Sequence, residues 1–194
     1  FAPVKNKISE WIQNGRKNHE KALLSTLHYY QTKPIDPIRR IMALFLDERD
    51  GKAIPYIQQR FLEECQRWGI EIVYHRPGFR SDIGYLQTLI REKPDLLLFI
   101  NKSAGEFTDR QILDRIRIPR MTWCLDDPNC FIREPFGEND FVFTWDRSYS
   151  ANLLNIGARN VDYFPYVADM DGLQASPQER FYSPVSFVGQ VKVF

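Results

Sequence analysis

From Ile38 onward, short runs of apolar residues alternate with longer stretches in which apolar positions recur every three or four residues. The short runs are "IMALFL" (41–46), "EIVYH" (71–75), "DLLLFI" (95–100), "RMTWCL" (120–125), "DFVFTW" (140–145) and "VDYFPY" (161–166), and they read as strands. Between them lie helical patterns. "IPYIQQRFLEECQRW" (54–68) puts Ile54, Ile57, Phe61, Cys65 and Trp68 on one face. "SDIGYLQTLIREK" (81–93) opens on Ser81 as N-cap, "TDRQILDRI" (108–116) opens on Thr108, and "RSYSANLLNI" (147–156) closes at Gly157. Ahead of this alternation, residues 5–31 carry Ile8, Trp11, Ile12, Leu23, Leu27 and Tyr30 at helical spacing that lapses near Gly15, and Pro34 and Pro37 close the pattern off.

Near-continuous apolar strands separated by helices of about 10 to 15 residues are what a parallel sheet covered on both faces requires. The expected class is therefore α/β, doubly wound, with a mostly parallel sheet and an N-terminal helical preface over residues 1–37. Sheets of this kind bind ligands beyond the carboxyl ends of their strands, so the residues just after each strand are the ones to inspect. They are "DERDG" (47–51), "NKSAGE" (101–106), "DDPN" (126–129) and "DRS" (146–148). Each has a plain structural alternative. Asp50 and Asp146 stand where an N-cap would, and "NKSAGE" could be a solvated loop. Asp126 and Asp127 are two like charges at the mouth of a buried strand, which calls for donors or a ligand, or for Asx-type bonds to the turn at Pro128.

Composition narrows the options without naming one. With 194 residues and 43% hydrophobic content the chain can bury a real core. A net charge of +1 argues against nucleic-acid binding, and the division into +4 over residues 1–34 and −3 over the rest is too mild to carry a function. No run of about 18 apolar residues is present and the N-terminus has no signal-peptide pattern, so a cytoplasmic protein with no membrane span is expected. Cys65, Cys124 and Cys130 form neither a CxxC pair nor a set with His at zinc spacing, which leaves them reduced and structural. The chain begins at Phe1 and stops on "SPVSFVGQVKVF", an apolar run with nothing after it to pair with, so a longer parent protein is expected.

Several chemistries find no motif here. There is no GxSxG, no P-loop and no GxGxxG after the first strand. Asp126 and Asp127 are adjacent rather than spaced as Asp-x-Asp, and no further carboxylate or His near them completes a divalent-metal site. His19 and His28 in the preface and His75 at a strand end read as surface or packing residues. A phosphoacceptor receiver domain would need an aspartate after the third strand, where Asn101 stands.

"MTWCLDDPN" (121–129), then "DFVFTWDRSYSANLLNIGARNVDYFPYVADMD" (140–171), then "SFVGQ" (186–190) resembles, in order and spacing, the CgeB-like, spore-maturation-type glycosyltransferases of the GT-B fold. The corresponding residues are Asp126, Asp127 and Pro128; Asp146, Arg147, Ser148 and Tyr149; Gly157, Val161 and Pro165; and Phe187, Val188 and Gly189, so that the match runs from about Ile41 to Gly189. The resemblance implies a Rossmann-like N-terminal, acceptor-side domain over 38–183, with 184–194 starting the crossover to a C-terminal domain beyond this chain. It also implies metal-independent transfer of a sugar from a nucleotide diphosphate sugar to a glycan, lipid-linked glycan or protein, with no cofactor.

Taken with the strand ends, the resemblance makes Asp126 and Asp127 the catalytic candidates, since a carboxylate near the acceptor hydroxyl would take its proton during attack. It makes Asp47, Asn101, Lys102, Pro128, Asn129, Asp146, Arg147 and Gly189 the substrate-binding candidates. Trp123 and Trp145 could stack on a sugar or simply pack in the core. The alternative of another class is a non-catalytic binding module whose strand-end carboxylates grip a polar ligand or a partner protein. On either reading this chain alone would not bind a nucleotide sugar tightly.

Overall fold

The computed structural model describes residues 2–33, 37–44, 46, 53–75, 81–104, 110–130, 132 and 136–165. In chain order the elements are α1 (Ala2–Thr32), β1 (Arg40–Leu44), α2 (Ala53–Arg67), β2 (Glu71–His75), α3 (Ser81–Glu92), β3 (Leu96–Ile100), α4 (Arg110–Ile116), β4 (Arg120–Cys124), a 3-10 turn (Pro128–Cys130), β5 (Asp140–Thr144), α5 (Tyr149–Asn155) and β6 (Asn160–Tyr163). The six strands form one sheet in the order β2-β1-β3-β4-β5-β6, and every neighbouring pair is parallel. This is the doubly wound, Rossmann-like architecture. Strand order reverses between β1 and β3, which places the crevice of such a sheet beyond the carboxyl ends of these strands.

Both faces of the sheet are covered, which is why β1 and β3 are buried almost from end to end. On one face Met42 and Leu44 of β1 and Leu97 and Phe99 of β3 pack under Tyr30 of α1, Tyr85 and Leu89 of α3 and Ile116 of α4. The parallel register carries this face across to Cys124 and Val142, which Leu153 of α5 covers. On the other face Ile41, Ala43 and Leu98 meet Leu62 and Cys65 of α2. Beside them Trp123 lies under Phe61 and Phe164, with ring centroids 5.4 and 4.9 Å away. Trp123 is thus a core residue, and of its two sequence readings the packing one holds.

Helix ends follow local chemistry. Gly69 has φ +80 and its N–H donates to Gln66 O, while Ile70 N–H reaches back to Cys65 O. Gly157, with φ +96, repeats the pattern: its N–H donates to Leu154 O and Ala158 N–H to Leu153 O. Both are Schellman closures, and each needs a left-handed residue that glycine adopts without a Cβ penalty. The first closure corrects one sequence expectation. It stops α2 at Arg67, so Trp68 does not join the buried stripe and is 75% exposed.

Helix α1 runs unbroken through Gly15, where the apolar spacing lapses. A single exposed glycine costs about 1 kcal/mol relative to alanine and does not break a helix. The carboxyl-terminal part of α1 belongs to the core of the sheet domain: Tyr30 is buried and its hydroxyl donates to Pro94 O at 2.8 Å. Of the other sequence expectations, Thr108 and residues 166–194, with the 183/184 boundary and Gly189, lie outside the described residues.

Candidate functional site

Three described segments meet at the carboxyl-end rim: Asn101–Ala104 after β3, Leu125–Asn129 after β4 and Trp145–Ser148 after β5. Their order along the rim is set by the sheet, in which adjacent strands lie about 4.8 Å apart. The segment after β1, with Asp47 and Asp50, lies outside the described residues.

Asn101 joins the first two segments. It leaves β3 with φ +51, a left-handed conformation that Asn tolerates better than most residues. Its Oδ1 accepts from Leu125 N–H at 2.7 Å and from Asp126 N–H at 3.1 Å, while its Nδ2 donates to Asp126 Oδ2 at 2.6 Å. One side chain therefore closes the end of β4 and fixes the orientation of the first carboxylate. Asp126 is exposed, and among the described residues its Oδ1 has no hydrogen-bond partner.

The second carboxylate is used differently. Asp127 Oδ1 accepts from Asn129 N–H at 3.0 Å and from Asn129 Nδ2 at 2.8 Å, an Asx turn that begins the 3-10 turn at buried Pro128. Asp146 is also occupied locally. Its Oδ1 accepts from Ser148 N–H at 2.8 Å, and this turn delays the start of α5 to Tyr149, two residues later than the apolar pattern suggests. Arg147 is exposed and lies 4.7 Å from the centroid of the Tyr163 ring, pointing along the rim toward β6. Lys102 is half-buried beside Asn101. Trp145 is half-buried with its ring edge-on to Tyr149.

The structure thus brings Asn101 and Asp126 into direct contact and pairs Asp127 with Asn129. Arg147 and Asp146 stand farther along the rim, on the β5 side. Among the described residues no group of three His, Cys, Asp or Glu side chains could hold a metal ion. Burial pushes the Cys124 thiol up to about 12 and that of Cys65 upward, so both stay protonated and inert as nucleophiles.

Gln58, which sequence reasoning passed over, also shapes this rim, as does His75, whose packing reading holds. Buried Gln58 of α2 donates its Nε2 to Leu44 O at 2.8 Å, satisfying the last carbonyl of β1. His75, the last residue of β2, is buried, with Nδ1 3.2 Å from Thr88 Oγ1 and its ring edge-on to Tyr85. At the opposite rim, wholly buried Arg120 pairs with Asp140 and, at 3.1 Å, with Asp114. Arg120 and Asp140 each open an apolar strand run, and these opposite charges at matching strand starts are the sequence signal that could have found the pair.

No protein-family model matches the chain, and no curated protein matches it. The class defined by fold and site is a doubly wound α/β protein with an asparagine-held carboxylate at the carboxyl-end rim.

Proposed function

We propose that this chain is the acceptor-side domain of a CgeB-like, GT-B-type glycosyltransferase, and that Asp126 is the base that takes the proton of the acceptor hydroxyl. The observation that carries the reading is the Asn101–Asp126 contact. It spends one carboxylate oxygen on orientation and leaves the other exposed at the rim, next to the reversal of strand order. Within the pair Asp126 is the better base, because Asp127 is bound to its own turn through Asn129. Lys102 and Arg147 would meet anionic or hydroxyl groups of the substrate from either side, and Asp47 and Gly189 would complete the site. The donor is a nucleotide diphosphate sugar held largely by a second domain, and the acceptor is a glycan or glycoconjugate.

The test is release of nucleoside diphosphate from a panel of sugar nucleotides by the full-length protein, with its Asp126→Asn and Asp127→Asn variants. Asp126→Asn is expected to lower kcat by about a hundredfold or more, the scale of general-base catalysis, and Asp127→Asn by less than about tenfold. Full activity of Asp126→Asn would overturn the assignment. The 194-residue chain by itself is expected to release no nucleoside diphosphate from any donor. The alternative, a non-catalytic binding module, draws on the local use of Asp127 and Asp146, whose carboxylates bond their own turns. Silence of the folded full-length protein on every donor and acceptor would favour it.

A further inference from the structure

At the amino-end rim, across the sheet from Asp126, the end of α1, the starts of β1 and β2, and the turn between α3 and β3 enclose a cleft of about 610 Å³. Five basic side chains line it against three carboxylates, an excess of two positive charges in a chain whose overall excess is one. The carboxylates are already engaged. Buried Asp95 takes Lys33 on one oxygen and the Arg39 and Arg40 N–H groups on the other, at 2.7 and 2.8 Å. Glu71 accepts from Arg40 Nε and Nη2, and Glu92 from Arg91 Nε. Among the described residues neither the Arg39 guanidinium nor the Lys93 ammonium has a carboxylate partner.

Lys93 is held in place for this. Its backbone is left-handed, φ +46, and its Nζ lies 5.0 Å from the centroid of the Tyr29 ring. Lys33 Nζ lies 5.0 Å from the same ring. Tyr29 is braced edge-on at 5.1 Å by Tyr30, which is buried and bonded to Pro94 O. Two ammonium groups gathered on one fixed ring repel each other, and a dianion between them and Arg39 would remove that cost.

We propose that this cleft is a binding site for a phosphate-bearing ligand, with Arg39 and Lys93 as its free donors and Lys33 and Tyr29 as the wall that positions Lys93. It is independent of the transferase assignment, since it lies at the other end of the strands. Inorganic pyrophosphate and vesicles of phosphatidylcholine with or without phosphatidylserine separate a free phosphate from a lipid headgroup as its source.

Calorimetric titration of the 194-residue chain with pyrophosphate at low salt is expected to give saturable binding, weakened roughly tenfold or more by Arg39→Gln or Lys93→Gly and unchanged by Arg67→Gln on exposed α2. Glycine at position 93 keeps the left-handed backbone, so Lys93→Gly should leave the thermal midpoint unchanged or raised, and lost binding then reports the charge and not the fold. Sedimentation with phosphatidylserine vesicles alone, lost in the same two variants, would support the cleft and name lipid as the source. No binding of either probe, or binding that the two variants leave intact, overturns the proposal.

Discussion

Asn101 performs two tasks that ordinarily need different residues. It accepts a left-handed backbone and it donates and accepts through one planar amide. Asn101→Ala should therefore cost about 2–4 kcal/mol in chemical denaturation, combining the left-handed penalty with an unsatisfied N–H on buried Leu125. Asn101→Gly, which removes only the bonds, should cost less; equal losses would mean that backbone strain plays no part. His75 gives a second residue-scale expectation. Burial lowers its pKa, and among the described residues its Nε2 has no hydrogen-bond partner. The unfolded chain thus binds the proton more readily than the folded one, so the neutral ring favours the fold fully above about pH 6.5, and this advantage is lost as pH falls toward the lowered folded value. Thermal midpoints between pH 7.5 and 5 should fall less for His75→Gln than for the parent chain. Parallel curves would exclude His75 as the source of the dependence.

Among the elements, one helix end was legible in the sequence and another was not. Gly157 announced its closure because a left-handed residue after a periodic run is a local requirement, visible without knowing the fold. Trp68 misled because its spacing continues the apolar stripe of α2 by one step, while the closure at Gly69 turns the chain away just before it. The two kinds of glycine differ in sign. Gly157→Ala should lower stability by about 1 kcal/mol through backbone strain alone, since nothing lies within 4 Å of the added Cβ. Gly15→Ala, in the middle of exposed α1, should raise it by about 0.5–1 kcal/mol. Urea denaturation of both variants checks the pair, and a loss from Gly15→Ala would show that α1 bends or opens at that position.

For the whole molecule, the class of fold was legible because near-continuous apolar runs alternate with stretches of period three to four from Ile41 to Tyr163, the order that a parallel, doubly covered sheet requires. The rim of the candidate site was legible for the same reason, since strand ends are countable. What was not legible is which rim residues touch. Asp126 and Asp127 look alike in sequence, yet one reaches 25 residues back to Asn101 and the other two residues forward to Asn129. The basic cleft was hidden for a related reason: its residues come from four separate stretches that only the fold brings together.

The strand order also sets a timetable for synthesis. β1 lies between β2 and β3, so it is flanked on both sides only after residues 96–100 have left the ribosome. Each later described strand then joins an edge that already exists, in the order in which it is made: β4 on β3, β5 on β4, β6 on β5. From β3 on, the described sheet extends outward one strand at a time in the order of translation.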